Sequence, residues 1–262
     1  MSANAAISGD ILEEGKRVGD AASEAGLELR LLGGVAIRLH ANGYVPESLQ
    51  RTYGDIDLVS SRRHGPQTAR LMTELGYTPH ERFNALNSST RLVFYDLTHA
   101  RQVDIFVGDF QMCHRVPVAG RLHLEATTVP LAELLLTKLQ VFRLNEKDLK
   151  DICCLVLEHD VGDHDDETIN SVFVARSLAS DWGLWRTSRQ TIDAVKRYLS
   201  TGKLAPPEQA VIEERLDQLW ERVEDEPKSL RWRTRARVGD RLQWHEEPEE
   251  VAHVEFGEVG DA

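Results

Sequence analysis

The sequence GDIDLVSS, residues 54–61, places two carboxylates one residue apart in an apolar run that reads as a buried strand. Side chains at positions i and i+2 of a strand point to the same face, so Asp55 and Asp57 would lie side by side. Two like charges this close repel each other unless a cation lies between them. A turn is the simpler interpretation, because Gly-Asp is a common turn pair. A divalent metal site is the alternative, and the surrounding chain decides between them.

The segments before this strand predict a glycine turn of the kind that binds phosphate. Residues 27–34, LELRLLGG, alternate leucine with other residues and predict a strand that ends in Gly33 and Gly34. Residues 35–43 predict a short helix directly after this pair. Glycines let backbone N–H groups approach a phosphate, and the N-terminus of a helix favours negative charge. The pair therefore suits a phosphate site.

A third carboxylate follows in a later predicted strand. Residues 90–97 and 101–108 flank the short connection 98–100 and predict a β-hairpin. Asp104 lies inside the apolar second strand, where its charge needs a partner. If that strand lies beside strand 55–60, three carboxylates converge. Three carboxylates on neighbouring strands bind hard cations such as Mg²⁺ through oxygen.

The pattern becomes helical after Pro130, and the chain divides into three predicted parts. We expect an α+β fold in which a mixed β-sheet flanked by helices is followed by a helical C-terminal part. Residues 1–127 form the α/β core, residues 128–227 the helical domain, and residues 228–262 a basic strand-like segment with an acidic tail that is predicted to be disordered. The remaining predicted elements are helices at 7–25, 66–75, 131–144, 146–159, 167–179, 186–200 and 207–224, and a strand at 77–86.

The Arg- and Trp-rich segment 228–244 has two interpretations. Arginine and tryptophan alternate there, which suits nucleic acid or phosphate. The simpler interpretation is an edge strand whose basic face is neutralised by the acidic tail. The net charge of −12 argues against a large nucleic-acid footprint.

Composition predicts a soluble, cytoplasmic protein. Of the 262 residues, 41% are hydrophobic and 28% are charged, which is typical of a globular chain. No apolar run approaches the roughly 20 residues that span a bilayer, and the first residues lack the pattern of a signal peptide. We therefore expect no membrane partner. The three cysteines lack zinc-ligand spacing and indicate a reduced compartment.

Taken together, the glycine pair and the three acids resemble the nucleotidyltransferases of the polymerase-beta-like superfamily. The resemblance covers roughly residues 27–107, through Gly33-Gly34, Asp55-Ile56-Asp57 and Asp104. It implies a nucleotidyltransferase-like sheet in which the three acids are metal ligands and Gly33 and Gly34 bind the nucleotide. The gap between Gly34 and Asp55 is longer than is common there, so residues 43–54 form an enlarged loop.

The segment LAELLLTKLQVFRLNEKDLKDICCL, residues 131–155, looks like the helical segment of the AbiEii-type nucleotidyltransferases of toxin–antitoxin and abortive-infection systems. That resemblance places Lys138, Asp148 and Asp151 in the active site, with Lys138 also binding the nucleotide. A lysine among leucines needs an anion, and a phosphate is a natural partner. For Asp151 a helical ion pair with Lys147, four residues earlier, is the alternative.

The resemblance implies transfer of a nucleoside monophosphate from an NTP to a hydroxyl acceptor, with release of pyrophosphate. Mg²⁺ or Mn²⁺ is the expected cofactor, and catalytic roles fall on Asp55, Asp57, Asp104, Lys138, Asp148 and Asp151. The acceptor is an RNA end, a protein or a small molecule, and an antitoxin protein is a candidate partner. Arg51, Arg62 and Arg143 are candidate helpers, although solvated surface arginines are the simpler interpretation. The alternative functions are an antibiotic-type nucleotidyltransferase and a non-catalytic nucleotide-binding module.

Overall fold

A five-stranded mixed sheet organises the N-terminal part of the protein. The structure, a computed structural model, describes residues 6–41 and 45–247. The strands follow the order β1-β2-β5-β4-β3, with β2 and β5 parallel and the other neighbours antiparallel. Their bounds are β1 Leu29–Leu32, β2 Asp55–Ser60, β3 Thr78–Pro79, β4 Arg91–Asp96 and β5 Arg101–Val107.

The centre of this sheet forms because its apolar residues are removed from water. Ile56, Leu58, Val103 and Ile105 are fully buried, and every residue of β5 is buried. The predicted hairpin between β4 and β5 is confirmed. Asp96 stabilises its turn by accepting hydrogen bonds from the backbone N–H groups of residues 98 and 99, at 3.0 and 3.1 Å.

Helices cover the sheet and continue into the C-terminal part. Near the sheet they are α1 Ile11–Glu24, α2 Gly33–His40, α3 Gly65–Glu74 and α4 Glu81–Asn87. The later helices are α5 Leu131–Leu139, α6 Glu146–Glu158, α7 Ser171–Ser180, α8 Trp182–Leu199, α9 Pro206–Asp225 and α10 Leu230–Val238. The short strands pair as β6 Phe110–Gln111 with β7 Arg115–Val116, and β8 Asp160–Gly162 with β9 Thr168–Asn170. Single 3-10 turns lie at Glu47–Leu49, Arg62–His64, Ala119–Arg121 and Gly239–Arg241.

Helix α5 lies at the centre of the helical part. All of its residues except Lys138 are buried, and it contacts α2, α6, α7 and α8. The buried apolar residues form one continuous cluster that includes both the sheet and these helices. The predicted α+β class with a mixed sheet is therefore confirmed, whereas the division at residue 127 stays a prediction because the core continues across it.

Two predicted strands are wrong. In the segment 77–86 only Thr78–Pro79 is extended, and α4 begins at Glu81. Asn84 fixes that helix against β4, because its side-chain amide donates to Val93 O at 2.9 Å and its oxygen accepts from Val93 N at 2.7 Å.

The basic segment that begins at residue 228 is a helix rather than a strand. Ser229 caps α10 by accepting a hydrogen bond from Trp232 N at 3.1 Å. The Trp232 ring packs against Trp185 of α8, with ring centroids 5.3 Å apart. The indole of Trp232 therefore packs against a neighbouring helix. It does not lie on the exposed face of a strand, as the alternation of arginine and tryptophan suggested. Most of the tail that is predicted to be disordered, residues 248–262, lies outside the described residues, whereas near its start Glu246 N donates to Cys113 O at 2.9 Å.

None of the described helices combines the length and the apolar character that crossing a membrane requires.

Candidate active site

The sheet places the three predicted carboxylates at neighbouring positions of two adjacent strands. β2 runs parallel to β5 in a register that pairs Asp57 with Asp104 and Asp55 with Gln102. Paired residues of neighbouring strands point to the same face, and so do residues two apart in one strand. Asp55 is exposed at the start of β2, Asp57 is half-buried, and Asp104 is 5% exposed. The predicted adjacency of the two strands is confirmed.

Asp57 is half-buried beside two carboxylates of the same charge. Burial is the largest effect that raises the pKa of Asp57 to about 8, and the negative charges of Asp55 and Asp104 add to it. The positive charges of Lys138 and Arg91 oppose this increase. An additional positive charge at this position would therefore stabilise the ionised carboxylate.

Gly33 permits the close approach of Asp57 to the first turn of α2. Gly33 has a φ of 69°, in the left-handed region that glycine adopts readily. A Cβ atom on this residue would overlap Oδ2 of Asp57. The carboxylate therefore packs directly on the backbone of the glycine turn.

The carboxylate of Asp104 already has partners in the protein. Its Oδ1 accepts from Arg91 Nε at 2.8 Å and lies 2.6 Å from Arg91 Nη2, and its Oδ2 accepts from Gln102 Nε2 at 2.7 Å. Within residues 6–41 and 45–247, no group of three or more His, Cys, Asp or Glu side chains is arranged so that it could hold a metal ion. The three-carboxylate metal site therefore stays a prediction.

Lys138 reaches the same region from the last turn of α5. Its side chain is 14% exposed, and Nζ lies 3.2 Å from Asp148 Oδ1 and 2.8 Å from Asp151 Oδ2. Burial opposes its charge, but the two carboxylates outweigh burial and raise the pKa of Lys138 above its ordinary value. The structure thus brings together the three residues that the sequence predicted from the helical segment.

Asp151 forms its ion pairs with Lys138 and Arg51, and not with Lys147. Arg51 Nε and Nη2 donate to Asp151 Oδ1 and Oδ2 at 2.7 and 2.8 Å, which makes a bidentate pair. Burial opposes the charge of Asp151, but Lys138 and then Arg51 lower the pKa of this carboxyl below its ordinary value. Asp151 is 3% exposed. It therefore holds two cationic side chains in place.

Helix α6 presents both aspartates because of the way it begins. Asn145 Oδ1 accepts from Asp148 N at 3.1 Å, and Asp148 Oδ2 accepts from Asn145 N at 3.3 Å, which completes a reciprocal capping box. One oxygen of Asp148 remains directed to Lys138, so the cap and the site share this carboxylate.

The resulting site opens into a cavity of about 470 Å³. Of the predicted residues, Gly34, Asp55, Asp57, Lys138 and Asp148 line it, while Gly33, Asp104 and Asp151 are not part of the lining. Arg51 and Lys147 add two positive charges to the wall. The arrangement can bind an anionic chain together with a cation, because it presents opposite charges side by side.

Two residues of the site were missed or undervalued from the sequence. No local pattern in the sequence indicates Arg91, and only the hairpin register, which places β4 beside Asp104, could do so. Arg51 is a candidate helper for which a surface position is the simpler interpretation, yet its side chain is only 12% exposed. The two other arginine candidates follow the simpler interpretation, since Arg62 is exposed and Arg143 is 82% exposed and paired with Glu247.

Comparison with known protein families gave no matching family model, and comparison with curated proteins gave no similar sequence.

Proposed function

We propose that the protein is a metal-dependent nucleotidyltransferase with a polymerase-beta-like core. One observation carries this proposal: Asp57 and Asp104 are paired in register on parallel neighbouring strands, with Asp55 at the same end. Beside them lies a cavity that Lys138 also lines. This is the combination of carboxylates and cation that a nucleotide with its metal requires.

The chemistry of the donor set fits a hard divalent cation. Carboxylate oxygens are the preferred ligands of Mg²⁺ and Mn²⁺ in proteins. Asp55 and Asp57 would hold the ion, and Asp104 would join them on releasing Arg91. Bound there, the ion would offset the charge of the phosphates and favour loss of the proton from the acceptor hydroxyl.

In the proposed reaction, the acceptor hydroxyl oxygen forms a bond to the α-phosphorus of the NTP. The bond from that phosphorus to the oxygen bridging the β-phosphorus breaks, and pyrophosphate leaves with the electron pair. The hydroxyl proton passes to Asp104 or to water. Lys138 stabilises the phosphate charge, and its anchors Asp148 and Asp151 keep its ammonium group in the cavity wall.

Labelled transfer tests the proposal. NTPs carrying a labelled α-phosphate are incubated with the protein, Mg²⁺ or Mn²⁺, and three acceptor pools: total RNA, total protein and cationic small molecules. We expect label in one pool with the wild type and at least a hundredfold less with Asp55→Ala and Asp57→Ala. Asp20→Asn, at an exposed position of α1, is the matched control. Equal transfer by both site variants contradicts the metal site.

A non-catalytic nucleotide-binding module is the second candidate. The ion pair between Arg91 and Asp104 favours it, because a neutralised carboxylate is not free to bind metal or accept a proton. Nucleotide binding without label in any pool would support this candidate. Label in the small-molecule pool would instead identify an antibiotic-type enzyme. The AbiEii resemblance is the basis for proposing a toxin role with an antitoxin partner.

A further inference from the structure

Arg51 is fixed in place at the glycine turn. Besides its bidentate pair with Asp151, its guanidinium lies over the ring of Tyr53, 4.2 Å from the ring centroid. A Cβ atom on Gly34 would overlap Nη2 of Arg51. The second glycine of the turn therefore provides the space that this guanidinium occupies.

The anchored guanidinium keeps hydrogen-bonding capacity for a ligand. Nε and Nη2 each donate to Asp151, and Nη1 donates to Thr52 O at 3.1 Å. These contacts use three of the five N–H donors of an arginine, so two remain. Arg51 also lines the cavity, so its side chain borders the space that a ligand would occupy.

The surroundings of these donors indicate the class of ligand. Helix α2 begins at the glycine turn without a side-chain cap, so its first N–H groups and its dipole favour an anion. Lys138 lines the same cavity. Planar guanidinium groups suit phosphate oxygens, which accept two parallel hydrogen bonds.

We propose that Arg51 binds the polyphosphate chain of the nucleotide at the Gly33-Gly34 turn, and that Asp151 is its positioning residue. This inference rests on the proposed function and deepens it. Asp151 orients Arg51 through two hydrogen bonds and Lys138 through one ion pair, so a single buried carboxylate sets the geometry of both phosphate contacts. The long connection before β2 thus supplies a binding residue.

The test measures equilibrium dissociation constants by calorimetry with MgATP, MgGTP, MgCTP, MgUTP and magnesium tripolyphosphate. We expect Arg51→Gln to weaken the binding of the preferred nucleotide and of tripolyphosphate at least tenfold. Arg51→Lys keeps the charge but cannot pair bidentately with Asp151, and we expect it to lose affinity severalfold. Arg143→Gln, at an exposed arginine outside the cavity, should remain within twofold of the wild type.

Coupling with Asp151 separates a role in binding from a role in stability alone. We expect Asp151→Asn to raise the dissociation constant. In the double variant with Arg51→Gln, the dissociation constant should exceed that of the weaker-binding single variant by less than threefold, because the two residues act as one unit. Thermal melts establish the folded fraction of each variant. If the wild-type protein binds the nucleotide and both Arg51 variants bind it with the affinity of the wild type, the inference about Arg51 is wrong and the proposed function stands. If the wild-type protein binds none of the five ligands, both the inference about Arg51 and the proposed function are wrong.

Discussion

At the scale of single residues, the glycine pair has a packing role that the sequence did not indicate. The pattern predicted that Gly33 and Gly34 contact a phosphate through their backbone. In the structure the space above Gly33 holds the Asp57 carboxylate, and the space above Gly34 holds the Arg51 guanidinium. The glycines therefore admit site side chains to the first turn of α2, and contact between their backbone and a phosphate stays a prediction.

Replacing Gly33 with alanine should disrupt the site. A methyl group would overlap Asp57, and alanine is strained at the φ of 69°. The left-handed conformation alone costs about 1–2 kcal/mol for a residue with a Cβ atom. We expect a fall in the free energy of unfolding of at least that amount, measured by urea denaturation.

Gly54 provides the control for this substitution. It precedes Asp55 directly, its φ is not positive, and a Cβ atom there would meet nothing within 4 Å. We expect Gly54→Ala to change stability by less than about 0.5 kcal/mol. Equal losses in both variants would contradict this account of the glycine turn.

Asp57→Asn should stabilise the metal-free protein while abolishing transfer. Because the pKa of Asp57 is raised to about 8, folding either takes up a proton below that pH or keeps a desolvated charge repelled by Asp55 and Asp104 above it, and asparagine avoids both costs. We expect a gain of about 0.5–2 kcal/mol, as is common when a strained functional site is neutralised. Thermal melts in a metal chelator measure the change, with Asp20→Asn as the control. A variant that melts below the wild type would show that repulsion at this site is weak.

The carboxylates could be predicted from the sequence, but their cationic partners could not. Asp55, Asp57 and Asp104 stand out because each interrupts an apolar strand, and strand alternation places them on one face. Arg91 and Arg51 meet these groups only through the register of the hairpin and the path of a long connection. Such tertiary contacts leave no local pattern.

At the scale of elements, the beginning of α6 determines where two site aspartates lie. Loss of the Asn145 side chain would remove the hydrogen bond to Asp148 N and leave the first turn loose. We expect Asn145→Ala to lower the free energy of unfolding by about 1 kcal/mol, which is typical for the loss of a cap. Nucleotide affinity should fall as well, because Asn145 and Asp148 both line the cavity.

Ser229→Ala at the start of α10 is the matched comparison. It removes an equivalent cap, the hydrogen bond from Trp232 N, at a helix whose residues do not line this cavity. Urea denaturation should give a similar loss of stability, whereas calorimetry should give an unchanged affinity for the nucleotide. If Ser229→Ala weakens nucleotide binding as much as Asn145→Ala, a local role for the α6 cap is excluded.

The two wrong strand predictions have one physical cause. The sequence predicted strands at 77–86 and from residue 228, but specific hydrogen bonds and ring packing stabilise helices there instead. Asn84 contributes through its bonds to Val93, and Trp232 through its contact with Trp185. Both are tertiary effects that override a local pattern.

At the scale of the whole molecule, three histidines lie at contacts between the N-terminal part and the helical part. His114 Nε2 lies 2.8 Å from Thr187 Oγ1 of α8, and the ring of His40 meets the ring of His159 edge-on. Burial lowers the pKa of His114 and of His40 to about 4. Each imidazole therefore stays neutral in the folded protein at a pH where it would be protonated in the unfolded chain.

Acidification should weaken the protein through these groups. The folded pKa lies below the unfolded value of about 6.5, so the stabilising contribution is complete above pH 6.5 and is lost as the pH falls towards 4. Between pH 7 and pH 5, we expect the wild type to lose about 1–2 kcal/mol more than His114→Gln in urea denaturation.

Carboxyl groups with raised pKa values, such as Glu133 at about 7, increase the stability as the pH falls. The test therefore depends on the difference in pH dependence between the wild type and His114→Gln. His123→Gln, at an exposed histidine, should keep the pH dependence of the wild type. Parallel pH profiles for wild type and His114→Gln would contradict the prediction.

The overall architecture could be predicted in outline because periodicity reports burial. Alternation marked β2 and β5, and helical spacing marked α5 to α9, since both patterns reflect which side chains leave water. The closure of the helical part onto the sheet could not be predicted in this way. It depends on one shared core and on ion pairs such as Arg51 with Asp151, which join residues a hundred positions apart.

The most direct test of the central claim compares two labels in the same NTP. The protein is incubated with Mg²⁺, the acceptor pools, and an NTP labelled at the α-phosphate in one reaction and at the γ-phosphate in a second. We predict that the α-label enters an acceptor while the γ-label is recovered as pyrophosphate in equal amount. Transfer of the γ-label to an acceptor, or recovery of both labels as intact NTP, would contradict nucleotidyl transfer.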